Sequence, residues 1–253
     1  MIKHTNSLKK YLLILVTLFF LSEAKAQSSL NYAAFGIGVS ISRNRPYADT
    51  KRVDDNMSYA VTGNYFFTPY VPIGLEFQFG TLSGGGRTRE LDAYGRTYKN
   101  DYKALLLHMD VQLGEVINYQ GNTFLNLVKN FYAGAGLGGI YNNMADIQRE
   151  NLFIENGAIG EKHGFEGKDS GLNFMVPLRF GYEFKIYNGY DQPNIRLDIG
   201  YQHNLTFGEG LDGYNDPSTK FKNNALDQYR QITVGIKVNF AGERSYDKEI
   251  KGY

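Results

Sequence analysis

The chain has no cysteine and no tryptophan among its 253 residues. Lacking cysteine, it cannot be a disulfide-stapled fold. No excess of either charge is present, because 27 Lys and Arg oppose 26 Asp and Glu for a formal net charge of +1. A basic footprint for nucleic acid is therefore absent. Beyond the first two dozen residues, no stretch approaches the roughly 20 apolar residues of a membrane-spanning helix. There is no internal repeat of 20–50 residues, which sets aside solenoids and propellers. No linker or second domain can be read.

The N-terminus is a processing segment. Lys3, Lys9 and Lys10 precede an apolar run from Tyr11 to Leu21 that is broken only by Thr17. Ala24-Lys25-Ala26 follows as a small-x-small cleavage pattern, which predicts export and a mature chain starting at Gln27. An uncleaved anchor is the alternative, but the run is short for a spanning helix. Removing residues 1–26 takes away four Lys and one Glu and leaves a net charge of −2.

What the mature chain has in abundance is alternation. From Leu172 to Ile186 every second residue is apolar: Leu172, Phe174, Val176, Leu178, Phe180, Tyr182, Phe184 and Ile186. Between them stand Asn173, Met175, Pro177, Arg179, Gly181, Glu183 and Lys185. Side chains alternate across a strand, so one face is greasy and the other carries charge. The pattern recurs and predicts eight strands, near 30–42, 57–67, 71–82, 102–115, 130–143, 172–186, 194–206 and 227–240. An exported chain whose strands each show one apolar face and one polar face fits a closed transmembrane barrel, with lipid outside and a polar interior. Negative mean hydropathy is compatible with this, since only every second strand residue meets lipid. The 20 Tyr and 17 Phe would supply the interfacial girdle that Trp usually shares.

The connections support the same reading. Thr68-Pro69-Tyr70 is a tight turn and Asn188 to Pro193 a short one. Val116 to Lys129 is longer, with a helical turn expected at Asn126, Leu127 and Val128. The links at 43–56, 84–101, 146–170 and 207–226 are long and polar. Long loops at one end and short turns at the other are the outer-membrane pattern. An even strand count puts both termini on the short-turn side, the periplasm. The expected organisation is a signal segment over 1–26, a barrel domain over 27–240 and a short charged periplasmic tail over 241–253. A soluble β-sandwich or lipocalin shares the alternation but keeps its apolar face inward.

Charges on the polar faces are balanced. Glu76, Asp110, Glu183 and Asp198 oppose Arg179, Lys185, Arg196 and Lys237. An eight-stranded barrel is about wide enough inside for its own side chains, so these eight predict a plugging ion-pair network. An ion path or proton relay is the alternative. Gly134, Gly136 and Gly138 would either open a void there or permit strand curvature.

The last strand carries a resemblance. Thr233-Val-Gly235-Ile-Lys-Val238-Asn-Phe240 resembles the C-terminal targeting signal of outer-membrane barrels. It departs from it in having thirteen further residues after Phe240. The resemblance implies that Gly235, Val238 and Phe240 are recognised by the barrel-assembly machinery. The mature chain as a whole is similar to the small eight-stranded outer-membrane barrels of the OmpA transmembrane domain and OmpX type, and its Tyr-rich, Trp-free style to PorT-like barrels. The resemblance implies an all-β, eight-stranded antiparallel up-and-down barrel in the outer membrane.

Catalytic signals are weak, and the expectation is no enzyme, no cofactor and no metal. Some eight-stranded barrels modify lipid A through a His-x-Ser pair facing lipid. Here His203 is followed two positions later by Leu205, so the nucleophile is missing. His108 stands near Asp110 on the interior face, where it would be a general base or a core histidine. His163 has no metal partner at helpful spacing. Asp212, Asn215 and Asp216 lack the ordered ladder of a calcium loop, and Gly84-Gly85-Gly86 opens no helix for a phosphate cradle. Recognition is expected instead from loop aromatics and cations: Arg87, Arg89, Tyr94, Arg96, Phe153 and Phe165. The expected partners are outer-membrane lipid, the assembly machinery and a larger outer-membrane complex, with no nucleic acid. The expected role is envelope structure, adhesion or accessory binding to an export complex. A narrow pore for small solutes or ions and a lipid-modifying enzyme are the alternatives.

Overall fold

The computed structural model describes residues 30–48, 50–153, 164–208, 210–214 and 227–248. The signal segment, His163, Asn215, Asp216 and the last five residues lie outside the described residues.

Eight strands form a closed antiparallel barrel in up-and-down order. They are β1 (Leu30–Tyr47), β2 (Asn56–Thr68), β3 (Val71–Gly85), β4 (Thr97–Gln112), β5 (Phe131–Gln148), β6 (Ser170–Tyr187), β7 (Pro193–Phe207) and β8 (Gln228–Tyr246). Each strand pairs with its sequence neighbour, and β1 closes on β8 from Leu30 opposite Tyr246 to Tyr47 opposite Gln228. Closure leaves no open edge, which hydrocarbon requires.

The alternation lands as its period dictates. Phe35, Ile37, Val39 and Ile41 point outward from β1, as do Leu105, Leu107, Met109 and Val111 from β4 and Ile232, Val234, Ile236 and Val238 from β8. All are exposed in the isolated chain. A soluble sandwich or lipocalin would bury them, so that fold is excluded.

The strands are longer than the alternation indicates. They run from 13 to 19 residues, against the 9–11 or so needed to cross a bilayer. The excess lies mostly at the long-loop end. There β1 continues through Arg43, Arg45 and Tyr47, and β4 begins five residues early, at Thr97. Outward positions on these extensions are charged: Arg43, Lys99 and Asp101 are exposed. The barrel wall therefore continues above its apolar belt, and the loops are shorter than expected.

Two ends differ in another way. β8 does not stop at Phe240 but runs to Tyr246, so the first part of the expected tail is strand paired with β1. β4 stops at Gln112 and not near 115. Leu113–Val116 turns into a short helix, α1, and Thr123–Val128 forms a second, α2. Gly114 makes that turn over the rim, where any Cβ would collide with the Tyr70 ring.

Candidate functional site: a filled lumen and a covered mouth

The lumen is packed in layers. Nearest the short turns, Glu183 holds three partners: Arg196 Nη1 at 2.7 Å, Gln112 Nε2 at 2.9 Å and Lys237 Nζ at 3.1 Å. Lys237 also reaches Asp198 Oδ2 at 2.9 Å. The Tyr132 hydroxyl donates to the other Asp198 oxygen at 2.9 Å. The Arg196 guanidinium lies 4.0 Å from the centre of the Phe66 ring and donates to the Pro69 carbonyl at 3.3 Å. With its amide turned to accept, Asn239 takes two further Arg196 bonds, at 3.2 and 3.3 Å.

One layer up, Arg179 bridges two acids. Its Nη1 is 3.3 Å from Glu76 Oε2 and its Nε 3.2 Å from Asp110 Oδ1. The second contact is an ion pair whose angle falls outside that of a hydrogen bond. Arg179 also donates to Gln202 at 3.1 Å, and Glu76 accepts from Thr62 at 3.2 Å and from Gln78. Charges buried this deeply are tolerable only when paired.

Seven of the eight lumen charges named from the sequence thus form two ion-pair clusters. Lys185 points the same way but finds neutral partners: Gln112 Oε1 at 2.6 Å, the Pro69 carbonyl at 3.0 Å and the Tyr70 ring at 4.1 Å. Gln112, Tyr132, Gln202 and Asn239 complete these clusters. Gln112, Gln202 and Asn239 share the parity of the charged residues on their own strands, and Tyr132 that of the inward β5 glycines, which is the signal that could have found them.

His108 sits between the two acids of the Arg179 cluster. Its Nε2 lies 3.7 Å from Glu76 and its Nδ1 3.6 Å from Asp110, and neither ring nitrogen makes a hydrogen bond. Among the described residues no aligned nucleophile stands at the imidazole, and the Thr62 hydroxyl donates to Glu76. His203 lies on the outer side, bonded to Gln228 at 2.8 Å and to Tyr201 at 3.3 Å.

The glycine column on β5 leaves no void. Gly134, Gly136 and Gly138 pair directly with Asp110, His108 and Leu106 of β4. A Cβ on any of the three would strike β4 backbone carbonyls and those inward side chains. Gly74 on β3 is the other neighbour of His108 and meets its ring. Glycines on both flanks make room for the His108 ring, and the β5 glycines do the same for Asp110 and Leu106, so the small residues are how the lumen is filled.

Above the charges comes an amide layer. Gln231 donates to Asn44 and to Ser58, both at 3.1 Å, and accepts from Asn204 at 3.1 Å. Higher still the interior turns apolar. Leu82, Tyr102, Ala104, Leu106, Ile140, Met175, Leu211 and Tyr229 form one buried cluster. A wholly polar lumen was expected, and this layer corrects it. Its signal was the break in alternation at Leu105-Leu106-Leu107. A cavity of about 20 Å³ beside Ser40, Arg179 and Gln202 is near the size of one water.

The described parts of the long loops then pack over the mouth. Phe165 and Tyr214 pack on Tyr98. The Arg96 guanidinium stands 5.3 Å from the Phe165 ring and 5.4 Å from the Tyr214 ring, and pairs with Asp92 at 3.3 Å. The Tyr214 hydroxyl shares its one proton between the Thr97 and Gln148 carbonyls, at 2.9 and 2.8 Å, and burial pushes that hydroxyl well above the usual tyrosine range. Asp227 accepts from the Leu211 and Gly210 amides at 2.9 and 3.1 Å.

Two of the expected recognition residues lie inside this cover. Arg96 and Phe165 are buried, at 7% exposure each, inside this cover, and Tyr94 is half-buried beside them. An aromatic cluster excludes water and needs a paired cation to fill it, so their chemistry is spent internally. Arg87 and Arg89 are exposed, and Arg89 lies 5.3 Å from the Phe153 ring. Val238 and Phe240 point outward into the belt, and Gly235 faces inward against Ser40.

Among the described residues no group of three His, Cys, Asp or Glu is placed to hold a metal ion. Residues 12–240 match the family model described as outer membrane protein beta-barrel domain. No curated protein matches the chain. Similar solved structures include Neisserial surface protein A, at 9% identity and a TM-score of 0.43 over 85% of this chain and 100% of that one. Ail of Yersinia pestis, in complex with the heparin analogue sucrose octasulfate, gives 12% and 0.41 over 81% and 97%. OprG from Pseudomonas aeruginosa gives 16% and 0.34 over 86% and 100%. Scores this low add no argument, which rests on the closed eight-stranded wall, its apolar belt and the family match. The chain belongs to the outer-membrane β-barrel domain family, and its place is the outer membrane.

Proposed function

We propose that the protein is a non-enzymatic outer-membrane barrel, closed to solutes, that holds its loop end outside the cell for envelope structure, adhesion or accessory binding to an export complex. The filled lumen carries this reading. Two ion-pair clusters, an amide layer and an apolar layer stand in series, and loop aromatics cover them. A solute path would have to break every layer at once. The missing nucleophile at His203 and the unaligned His108 support a role without catalysis.

Both termini belong at the short-turn end, in the periplasm. At the opposite end Arg87, Arg89 and Phe153 remain as the candidate contact surface. Gly235, Val238 and Phe240 serve assembly of the barrel rather than its mature role. Swelling of proteoliposomes in small sugars tests closure: vesicles holding the protein should swell no faster than empty ones, and fast swelling would favour a pore. Co-purification in mild detergent tests the surface. Partners lost in Arg87→Ala/Arg89→Ala support it, and an unchanged set of partners counts against it.

A further inference from the structure

The β4–β5 connection at the short-turn end has two sides of opposite character. Its polar side is fixed to the rim. The Gly114 amide donates to the Lys129 carbonyl at 2.6 Å, and the Tyr70 hydroxyl to that of Tyr119 at 2.8 Å. Lys248, just past β8, donates to the Gly114 carbonyl at 2.6 Å. The Tyr119 ring is flanked by two ammonium groups, Lys129 at 4.6 Å and Lys248 at 4.9 Å. Burial pushes the Tyr119 hydroxyl above the usual tyrosine range, so it stays a neutral donor or acceptor at physiological pH.

The other side is apolar and uncovered. Val116, Phe124 and Leu127 are 69%, 68% and 52% exposed. Phe124 and Leu127 stand three apart on α2 and so share one helix face. The Asn122 side chain caps α2 by accepting the Leu125 amide at 3.1 Å, so this face is held in place. Where α2 ends, the Leu127 carbonyl accepts the Tyr182 hydroxyl at 2.8 Å. Tyr182 belongs to the outward face of β6, with the Phe131 and Phe184 rings at 4.7 and 4.6 Å. The helix is therefore tied to the lipid-facing wall and not to the lumen.

We infer that α2 and the Val116 corner form an interfacial anchor that dips into the lipid leaflet around the short-turn rim. Its occupant is glycerophospholipid. Acyl chains meet Phe124, Leu127 and Val116, and headgroup phosphates face Lys129 and Lys248. Continuity with the Tyr182–Phe131 belt argues for lipid, because an aromatic girdle marks the membrane–water boundary. Two cations beside an apolar face suit an anionic headgroup above a hydrocarbon edge. This anchor presupposes the membrane placement of the barrel but not its closure to solutes.

The absence of Trp makes the test direct. Phe124→Trp would carry the sole indole of the full chain, reconstituted in phosphatidylcholine–phosphatidylglycerol vesicles whose acyl chains are brominated at shallow or deep carbons. Phe180→Trp, in the belt, reports insertion, and Tyr190→Trp, in the β6–β7 turn, reports water. The anchor predicts a blue-shifted Phe124→Trp emission that loses most of its intensity to shallow bromines. Phe180→Trp should respond to deeper bromines and Tyr190→Trp to neither. If Phe124→Trp behaves like Tyr190→Trp while Phe180→Trp is quenched, the anchor is overturned and the barrel stands. An indole shielded from both bromine and aqueous acrylamide is covered by protein, a second copy or a partner, which also overturns it. An unquenched Phe180→Trp overturns the membrane placement and the anchor together.

Discussion

The two halves of the lumen are filled by opposite means. The half near the short turns is held mainly by charges, with Glu183 and Arg179 each binding several partners above a small apolar cluster of Tyr32, Ala34 and Phe66. The half under the loops is held by Leu82, Leu106, Ile140, Met175 and their neighbours. Both exclude water, but their failure modes differ. A buried ion pair contributes little net stability while intact and costs a great deal when one partner is lost. An apolar layer loses stability in proportion to the volume removed.

Glu183→Ala should therefore do the most damage, because Arg196 loses its carboxylate and Lys237 one of two. The expected loss is about 4 kcal/mol, read from urea unfolding of the barrel in lipid. Glu183→Leu combined with Arg196→Met should recover most of it, which no simple cavity account predicts. Leu106→Ala, in the other half, should cost about 3 kcal/mol, whereas Leu106→Met should cost about 1 kcal/mol. If Glu183→Ala proves milder than Leu106→Ala, the contrast between the halves is wrong.

Gly136→Ala sharpens the role of the glycine column. A Cβ there meets the Leu107 carbonyl and His108, so overpacking should cost about 2 kcal/mol; a neutral result would mean the wall has room. The smallest contrast separates the loop cations. Arg96→Ala removes the ion pair to Asp92 and the guanidinium beneath Phe165 and Tyr214. Melting of the reconstituted protein should show a loss of about 1–2 kcal/mol. Arg87→Ala, exposed, should change stability by less than about 0.5 kcal/mol.

Legibility in the sequence follows the same divide. Where lipid lies on one side and protein on the other, side chains must alternate, so the belt of β6 and β8 and the inward charges could be read residue by residue. The alternation fades where both faces are wet or polar. That is why Thr97–Asp101 of β4 and Arg43–Tyr47 of β1 read as loop, and why β8 read as ending at Phe240. Leu106 and Met175 fall on a face that looks polar from its neighbours, so the apolar layer needed the closed wall to become visible. Arg96 and Phe165 come from different loops, and local sequence carries no sign of their meeting. The β5 glycines left void and curvature open as alternatives. The β4–β5 register answers the void, because each glycine lies against an inward β4 residue, Asp110, His108 or Leu106.

The central claim is a lumen sealed by its own side chains. Single-channel recording in a planar bilayer tests it most directly, with insertion verified by protease protection of the same preparation. The account predicts a baseline without steady conductance over the working voltage range. A stable, large open-state current would contradict it.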